Sequence, residues 1–532
     1  MKLEKIFIRN FRSVGEKGLE LTFTPTCTTF IGENNVGKSS IFEAIKKSLE
    51  PNVGWDPEEW YSGNQNKTVE IQFAYKLDDN QINQVIGFLG LPLNASECRE
   101  NFTDKLNYEF KKELNRMSTL FKLGELQIES NNTISIGEID QTRGYSSLSL
   151  HEIIAQIKSQ KGKKPIQVMK ECLGNPYRRI DTGRNITENL LKLLRESIVV
   201  IEEFREKPHK TLSELWTSPK GRELASVLFN LKNARPEQRK KFEQIREKFH
   251  QLFPALELDV IKENNEIKIL IQKAGIESTT FYLGAGILES LLILTHLIAH
   301  NDKVLCVDHP ELHLHPHAQR RLGTFIEGAN ESQILSITHS PYFVNLNRSS
   351  SILRFIQKDA QTEVIELPQN YFTDEDFFKL EQILDIDTKE MFFARKVVLV
   401  EGQTELGALP IFASDIYNFD ENGVTIIFVG GKKSFDIFVK LCEGFKIPYL
   451  VIADQDAEKE TIKLKEKYPN CKSHILPDEF DDLLPEGLRE EAKSVVGDKS
   501  KPRIGKYVAK KLVDRREIPN EISLIIEEVK NL

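Results

Sequence analysis

Thr28-Thr29-Phe30-Ile31-Gly32-Glu33-Asn34-Asn35-Val36-Gly37-Lys38-Ser39-Ser40 runs an apolar strand into a glycine-bounded loop and straight out into a helical segment that stops before Pro51. Residues 32–39 match the phosphate-binding pattern GxxxxGK[ST] without a mismatch, in the strand–loop–helix setting that the chemistry requires. Glycines let backbone N–H groups face phosphate oxygens, and the following helix start adds positive potential. A lysine reaches the outer phosphates and a hydroxyl holds Mg²⁺. Gly32, Asn34, Asn35, Gly37, Lys38, Ser39 and Ser40 are therefore the candidate ATP-binding positions, and an α/β fold with a buried strand under the loop is expected.

Outward from this loop, the 532 residues exceed one ordinary core, so two or three domains are expected. Hydrophobic residues make up 40% and charged residues 29%, a globular balance. No apolar run is long enough to cross a membrane, so no membrane partner is expected. The N-terminal MKLEKIFIRNFRSVG has no signal-peptide core, which points to the cytoplasm. Six cysteines stand singly without a CxxC pair, excluding a zinc knuckle or a disulfide frame. The 72 Lys and Arg against 80 Asp and Glu give a net charge of −8, which excludes a histone-like charge-driven binder but not a local nucleic-acid surface.

Strand patterning recurs in residues 1–80 and again from residue 256, whereas 81–255 carries dense charge and amphipathic stretches that read as a helical insertion, suited to dimerisation or DNA contact. Val304-Leu305-Cys306-Val307-Asp308 is an apolar strand ending in a carboxylate that can hold Mg²⁺ together with Ser39. Leu283-Gly284-Ala285-Gly286 precedes a helix, and Ser336-Ile337-Thr338-His339 ends another strand in a histidine. His309, His313, His315 and His317 lie close in sequence, but Pro310 and Pro316 break any helix that would align them as ligands.

The C-terminal third has a different chemistry. Val397-Val398-Leu399-Val400-Glu401-Gly402 ends a buried strand in Glu-Gly, with Glu405 one helical turn later. Val451-Ile452-Ala453-Asp454-Gln455-Asp456 ends another in an Asp-x-Asp pair whose alternation directs both carboxylates to one side. Parallel strands release such residues at one sheet edge, where mutual repulsion calls for a hard divalent cation, Mg²⁺ or Mn²⁺.

The phosphate loop, the strand ending in Asp308, the Gly284–Gly286 loop and His339, in this order, resemble the ABC-type heads of SMC and OLD-family ATPases. In that resemblance Gly284 and Gly286 match the signature loop and His339 the γ-phosphate-sensing histidine. Two nucleotides are then sandwiched between protomers, which implies a homodimer or higher homo-oligomer. The chain departs from the pattern at Asp308-His309-Pro310-Glu311, because His309 stands where a Glu normally polarises the attacking water. His309 or Glu311 is left for that role, and slow hydrolysis is expected.

Glu-Gly, then Gly430-Gly431-Lys432, then Asp-x-Asp resembles a Toprim domain, and head plus Toprim in one chain resembles the OLD family of nucleases. The resemblance implies a metal set of Glu401, Glu405, Asp454, Asp456, Glu479 and Asp481, with Lys501, or Lys506 in reserve, beside the reacting phosphate. It divides the chain into an ABC-type head at 1–80 and 256–388, the insertion at 81–255 and a Toprim domain at 389–532. The implied activity is ATP-regulated cleavage of DNA by two divalent ions in anti-phage defence, with a helicase or a reverse transcriptase and its nucleic acid as defence-system partner. The alternative is an SMC-like DNA-binding ATPase whose Toprim domain does not cleave.

Overall fold

The computed structural model describes residues 1–50, 54–89, 103–123, 185–201, 219–263, 266–279, 284–299, 303–329, 331–348, 350–368, 370–497 and 500–532, with short stretches between 96 and 181. Leu283, part of the expected signature loop, lies outside these residues.

Strands β1 (Lys2–Arg9), β2 (Leu19–Thr22), β4 (Val69–Lys76), β5 (Lys105–Lys112), β6 (Met117–Leu123), β7 (Leu126–Glu129), β8 (Thr133–Ile136), β9 (Ser146–Ser149) and β10 (Arg178–Asp181) form a nine-stranded sheet in the order β2-β1-β4-β5-β6-β7-β8-β10-β9. The stretch 81–255 is expected to be helical, yet Lys105–Lys112, Met117–Leu123, Leu126–Glu129, Thr133–Ile136, Ser146–Ser149, Arg178–Asp181 and Ile198–Ile201 within it are strands. Leu106, Tyr108 and Phe110 alternate with polar residues along KLNYEFKK, and this period of two overrides the dense charge. The helical expectation holds for Ile186–Ser197, Pro219–Asn233 and Pro236–Leu252.

A second, six-stranded sheet contains β11 (Ile198–Ile201), β15 (Val304–Asp308), β16 (Gln333–Ile337), β3 (Cys27–Gly32), β17 (Ser350–Lys358) and β18 (Gln361–Glu366), in that spatial order. Its first five strands are parallel and β18 returns antiparallel. All six residues of β3 are buried, as a central parallel strand covered on both faces requires. A meander of β12 (Glu257–Glu263), β13 (Glu266–Lys273) and β14 (Ile276–Thr279) packs with the helices of 219–252 around Leu228, Phe242, Phe249 and Leu258.

The C-terminal domain is a four-stranded, all-parallel sheet of β19 (Lys396–Val400), β20 (Val424–Phe428), β21 (Tyr449–Ala453) and β22 (Ser473–Ile475), ordered β20-β19-β21-β22. One face shares a core with the head, because Ile31, Val344 and Ile352 pack in the same cluster as Val397, Leu399 and Phe438. Helix α1 (Lys38–Leu49) follows β3; on the other side of the C-terminal sheet, α2 (Gln403–Ala413) and α3 (Lys501–Arg515) pack together around Ala408, Phe412, Val508 and Leu512.

Two glycines set the close approach of α2 and α3. A Cβ on Gly407 would lie 2.0 Å from the Pro502 carbonyl oxygen, and one on Gly505 would lie 2.5 Å from that of Thr404. Gly407→Ala is therefore expected to lower stability by about 1–3 kcal/mol through overpacking. Gly487→Ala, in a helix where nothing lies within 4 Å, is expected to be neutral or stabilising by up to about 1 kcal/mol. Thermal melting of the two variants checks the contrast, and equal melting temperatures would contradict it.

Candidate active site

At the head, β3 delivers the phosphate loop between β16 and β17. The left-handed φ values of Gly32 (141°), Asn35 (63°) and Gly37 (99°) curl the chain so that α1 starts at Lys38. A Cβ on Gly32 would meet the Phe355 carbonyl oxygen at 2.3 Å, which is why glycine stands there. The Lys38 Nζ donates to the carbonyls of Gly32 (2.9 Å) and Glu33 (2.6 Å). Burial pulls its pKa down to about 8, against the opposing fields of Asp308, Glu311 and Glu33. Ser39, Asn34 and Asn35 are exposed and Ser40 is buried.

Parallel register carries the other head residues to the same edge, since Asp308 pairs with Ile337 and Ile337 with Phe30. His309 takes a left-handed φ of 55°, and its Nδ1 lies 3.1 Å from Glu311 Oε1. The Glu311 carboxylate also accepts the Thr338 hydroxyl (2.7 Å) and the His339 backbone N–H (2.8 Å). Burial alone would raise its pKa, but these hydrogen bonds outweigh burial and hold it below the usual value. The imidazoles of His309 and His339 stack with centroids 5.3 Å apart. Burial, then the positive field of Lys38, lowers His339 to about 4, so this ring is neutral at physiological pH.

Gly284 stands just before the helix Ala285–Ala299, and a Cβ on Gly286 would come 2.5 Å from the His313 carbonyl oxygen. The Gly284–Gly286 loop thus rests on the stretch after β15 in its own chain. Glu289, buried on that helix, faces His313 at 3.8 Å, while His315 and His317 stack on each other at 5.3 Å. No group of three potential ligands closes on one point among the described residues, here or elsewhere.

In the C-terminal domain, Val400 pairs with Phe428 and with Ile452, so Glu401 and Asp454 emerge at one edge. Glu401 Oε1 accepts the Lys432 backbone N–H at 3.2 Å, and Oε2 is buried without a hydrogen-bond partner. Burial, then the neighbouring charges of Asp454 and Asp456, raises the Glu401 pKa. Glu405 folds back on the first turn of α2, its Oε1 accepting the Gly402 N–H at 3.2 Å. It is 3% exposed, and burial, with Asp454 and Asp481 adding, lifts its pKa to about 7. Asp454 Oδ1 accepts the Phe480 N–H at 3.1 Å, and burial followed by the charges of Glu479, Asp456 and Asp481 raises its pKa too.

Asp456 departs from the expected alternation. The strand ends at Ala453, residues 455–457 form a 3₁₀ turn, and the exposed Asp456 carboxylate pairs with Lys432 Nζ at 2.7 Å. Glu479 is exposed at the start of the turn Phe480–Leu483. Lys501, first residue of α3, brings its Nζ to 3.8 Å from Asp481, whereas Lys506 is exposed further along the helix. The donor set of this edge is hard carboxylate oxygen, with a buried unpartnered oxygen on Glu401 and charges that raise one another's pKa values. Those features fit Mg²⁺ or Mn²⁺.

Sequence reasoning missed two arginines. Arg395 Nε and Nη2 bind both carboxylate oxygens of Glu33 at 2.9 and 2.8 Å. Arg354, buried in β17, donates to the carbonyls of Phe445, Lys446 and Ala394 at 3.0–3.2 Å. A lone arginine inside the apolar SSILRFIQK was the available signal for the second; the first had none.

The family described as an AAA ATPase domain matches residues 1–344. The chain belongs to that family. Residues 392–456 match the Toprim domain of overcoming-lysogenization-defect-like proteins, so the AAA ATPase head is followed by an OLD-like Toprim domain, the combination expected from sequence. These domain types generally bind ATP and divalent metal ions. The OLD nuclease of Thermus scotoductus is 27% identical over 227 residues, 38% of this chain and 42% of that protein. The endonuclease GajA of Bacillus cereus is 22% identical over 538 residues, 86% of this chain and 74% of that protein. The chain spans 30% and 42% of the length of the first two curated relatives it matches. An SMC head bound to the C-terminal winged-helix domain of ScpA aligns with 69% of this chain and 98% of its own at a TM-score of 0.42 and 15% identity. No described helix is long and apolar enough to cross a membrane.

The Glu405 carboxyl gives a pH dependence with a definite sign. Its folded pKa of about 7 exceeds the ordinary 4.5, so burial of its neutral form contributes fully below the unfolded value, and that contribution is lost as pH rises through the folded one. The loss is roughly 2–4 kcal/mol. In chelator, melting temperature is expected to fall between pH 5 and pH 8, and Glu405→Gln to flatten most of that slope. The same slope in the variant would contradict the assignment.

Proposed function

We propose that this chain is an ATP-regulated, divalent-metal-dependent DNA endonuclease that acts as a homodimer or higher homo-oligomer in anti-phage defence. The observation that carries this reading is that neighbouring parallel strands release Glu401 and Asp454 at one sheet edge, beside the buried Glu405, with each pKa raised by burial and by neighbouring carboxylates. The names of the Thermus and Bacillus relatives support the same reaction.

Glu401, Glu405 and Asp454 would draw together on one divalent ion, with Asp456 joining them only on leaving Lys432, and Glu479 and Asp481 would extend the set to a second. Bound there, the ions supply water activation and charge neutralisation at the scissile phosphate. The chain's own residues do the rest. The Lys432 and Phe480 N–H groups orient Glu401 and Asp454. The close packing of α2 on α3 sets Lys501 beside Asp481, where its ammonium can stabilise the phosphorane or protonate the departing 3′ oxygen.

At the head, Lys38 would leave the two loop carbonyls for the outer phosphates of ATP, with Ser39 and Asp308 on its Mg²⁺, and Gly284–Gly286 would face the partner protomer's nucleotide. Glu311 fixes the His309 ring through Nδ1, so His309 is the base for water and Glu311 its orienting partner. A base of this kind acts only when neutral, which accords with slow turnover. A defence partner such as a helicase, or a reverse transcriptase with its nucleic acid, belongs to the same reading.

The test is supercoiled plasmid incubated with Mg²⁺ or Mn²⁺. The unmodified protein is expected to give nicked or linear product, and Asp454→Ala to lose at least roughly a hundredfold in rate by removal of a metal ligand while binding a fluorescent ATP analogue normally. Lys38→Ala is expected to weaken that binding. Undiminished cleavage by Asp454→Ala would overturn the nuclease assignment, and DNA binding with no cleavage by any preparation would favour the SMC-like alternative.

A further inference from the structure

Two rigid elements run from the phosphate loop to Glu401, and both begin at an arginine. The first is β19. Arg395 immediately precedes it, fixed by its backbone N–H to the Gly423 carbonyl at 2.9 Å, and its guanidinium grips both oxygens of Glu33. Six residues later, at the other end of a strand buried from Val397 to Val400, stands Glu401. At about 3.3 Å per residue the strand spans roughly 20 Å from Arg395 to Glu401.

The second is helix α4 (Phe435–Phe445), which lies between α2 and α3 in sequence but packs on the opposite, shared-core side of the sheet. Its C-terminal carbonyls, Phe445 and the left-handed Lys446, accept both bonds from Arg354 Nη1. A cation is favoured there, because helix carbonyls end unpaired and the helix dipole is negative at this end. Arg354 Nη2 meanwhile binds the Ala394 carbonyl next to Arg395. At the other end of the helix, the preceding turn Lys432–Ser434 presents the N–H that holds Glu401 Oε1. Arg354 itself is paired in register with Ile31, and its neighbour Phe355 with Gly32.

Strand and helix therefore converge on one carboxylate, and their far ends are held by residues on or beside the phosphate loop. Glu33 is the hinge of the arrangement. Its carbonyl accepts Lys38 and its carboxylate accepts Arg395. A cavity of about 290 Å³ lined by Gly32, Glu33, Arg354, Phe393 and Ala394 lies at this junction, giving the loop room to shift against the Toprim root.

We propose that Arg395 and Arg354 are positioning residues through which the nucleotide state of the phosphate loop sets the placement of Glu401. This rests on the reading of the chain as a nucleotide-regulated metal enzyme. When Lys38 turns to the outer phosphates, the Glu33 carbonyl loses its partner, the loop resettles, and the Glu33–Arg395 pair transmits the shift along β19, while Arg354 keeps the helix in step.

Hydrogen exchange of the full-length protein with and without a non-hydrolysable ATP analogue tests this without requiring cleavage. In the unmodified protein, the nucleotide is expected to change exchange both in residues 32–40 and in residues 430–434. Arg395→Gln is expected to keep the first change and to reduce the second at least about threefold, with analogue affinity within about twofold. Arg395→Lys, which keeps the charge but only one arm of the fork, should fall between them. Arg354→Lys should reduce the second change as well. A change in 430–434 that persists undiminished in Arg395→Gln, or none in the unmodified protein despite a response at 32–40, overturns the proposal. No response at 32–40 itself would instead mean that the nucleotide-binding reading fails. Plasmid cleavage in the same preparations adds an independent readout: the ratio of rates with and without the analogue should approach one in Arg395→Gln.

Discussion

The interaction on which the rest of this structure depends is the parallel pairing of β3 between β16 and β17. Gly32 presses against the Phe355 carbonyl so closely that no side chain fits. That register starts the phosphate loop at the sheet edge, puts Thr338 and His339 beside it from one neighbour, and aligns Arg354 with Ile31 from the other. The hydrogen bonds of Glu311 to Thr338 and His339 then tie the turn after β15 to the same edge. A parallel sheet releases its C-terminal ends together, so one pairing decision gathers residues more than 300 positions apart.

The Toprim sheet repeats the logic with opposite electrostatics. Its edge gathers carboxylates rather than backbone N–H groups and a lysine. Burial already disfavours each charged form and the neighbours add to that, a repulsion that the proposed divalent cation would relieve. The two edges are not separate bodies. Ile31 and Ile352 of the head share a core with Val397 and Leu399 of β19, and a buried guanidinium satisfied by three carbonyls spans the junction.

Much of this was legible in the sequence because the deciding signals are local. Glycine and lysine at fixed spacing specify the phosphate loop, and apolar runs ending in Asp308, His339, Glu401 and Asp454 mark buried parallel strands whose ends carry function. Three features were not legible, each for a physical reason. The strands of 105–136 carry dense charge that masks their alternation. Asp456 leaves the line of Asp454 because the strand stops at Ala453 and a 3₁₀ turn rotates the next residues outward. The contact of Arg395 with Glu33 joins positions 362 apart and leaves no local trace. Side-chain chemistry at strand ends can be read from one stretch of chain, whereas the partners that position it come from the tertiary fold.

On the proposed function, the chain would hold metal at two sites of different origin, one made by carboxylates alone and one completed by nucleotide. Mn²⁺ titration followed by electron paramagnetic resonance tests it most directly, in the unmodified protein, Asp454→Ala and Lys38→Ala, each with and without a non-hydrolysable ATP analogue. The expected result is that Asp454→Ala loses the Mn²⁺ bound without nucleotide yet gains Mn²⁺ with it, while Lys38→Ala shows the reverse. Nucleotide-free Mn²⁺ binding by Asp454→Ala equal to that of the unmodified protein would contradict it.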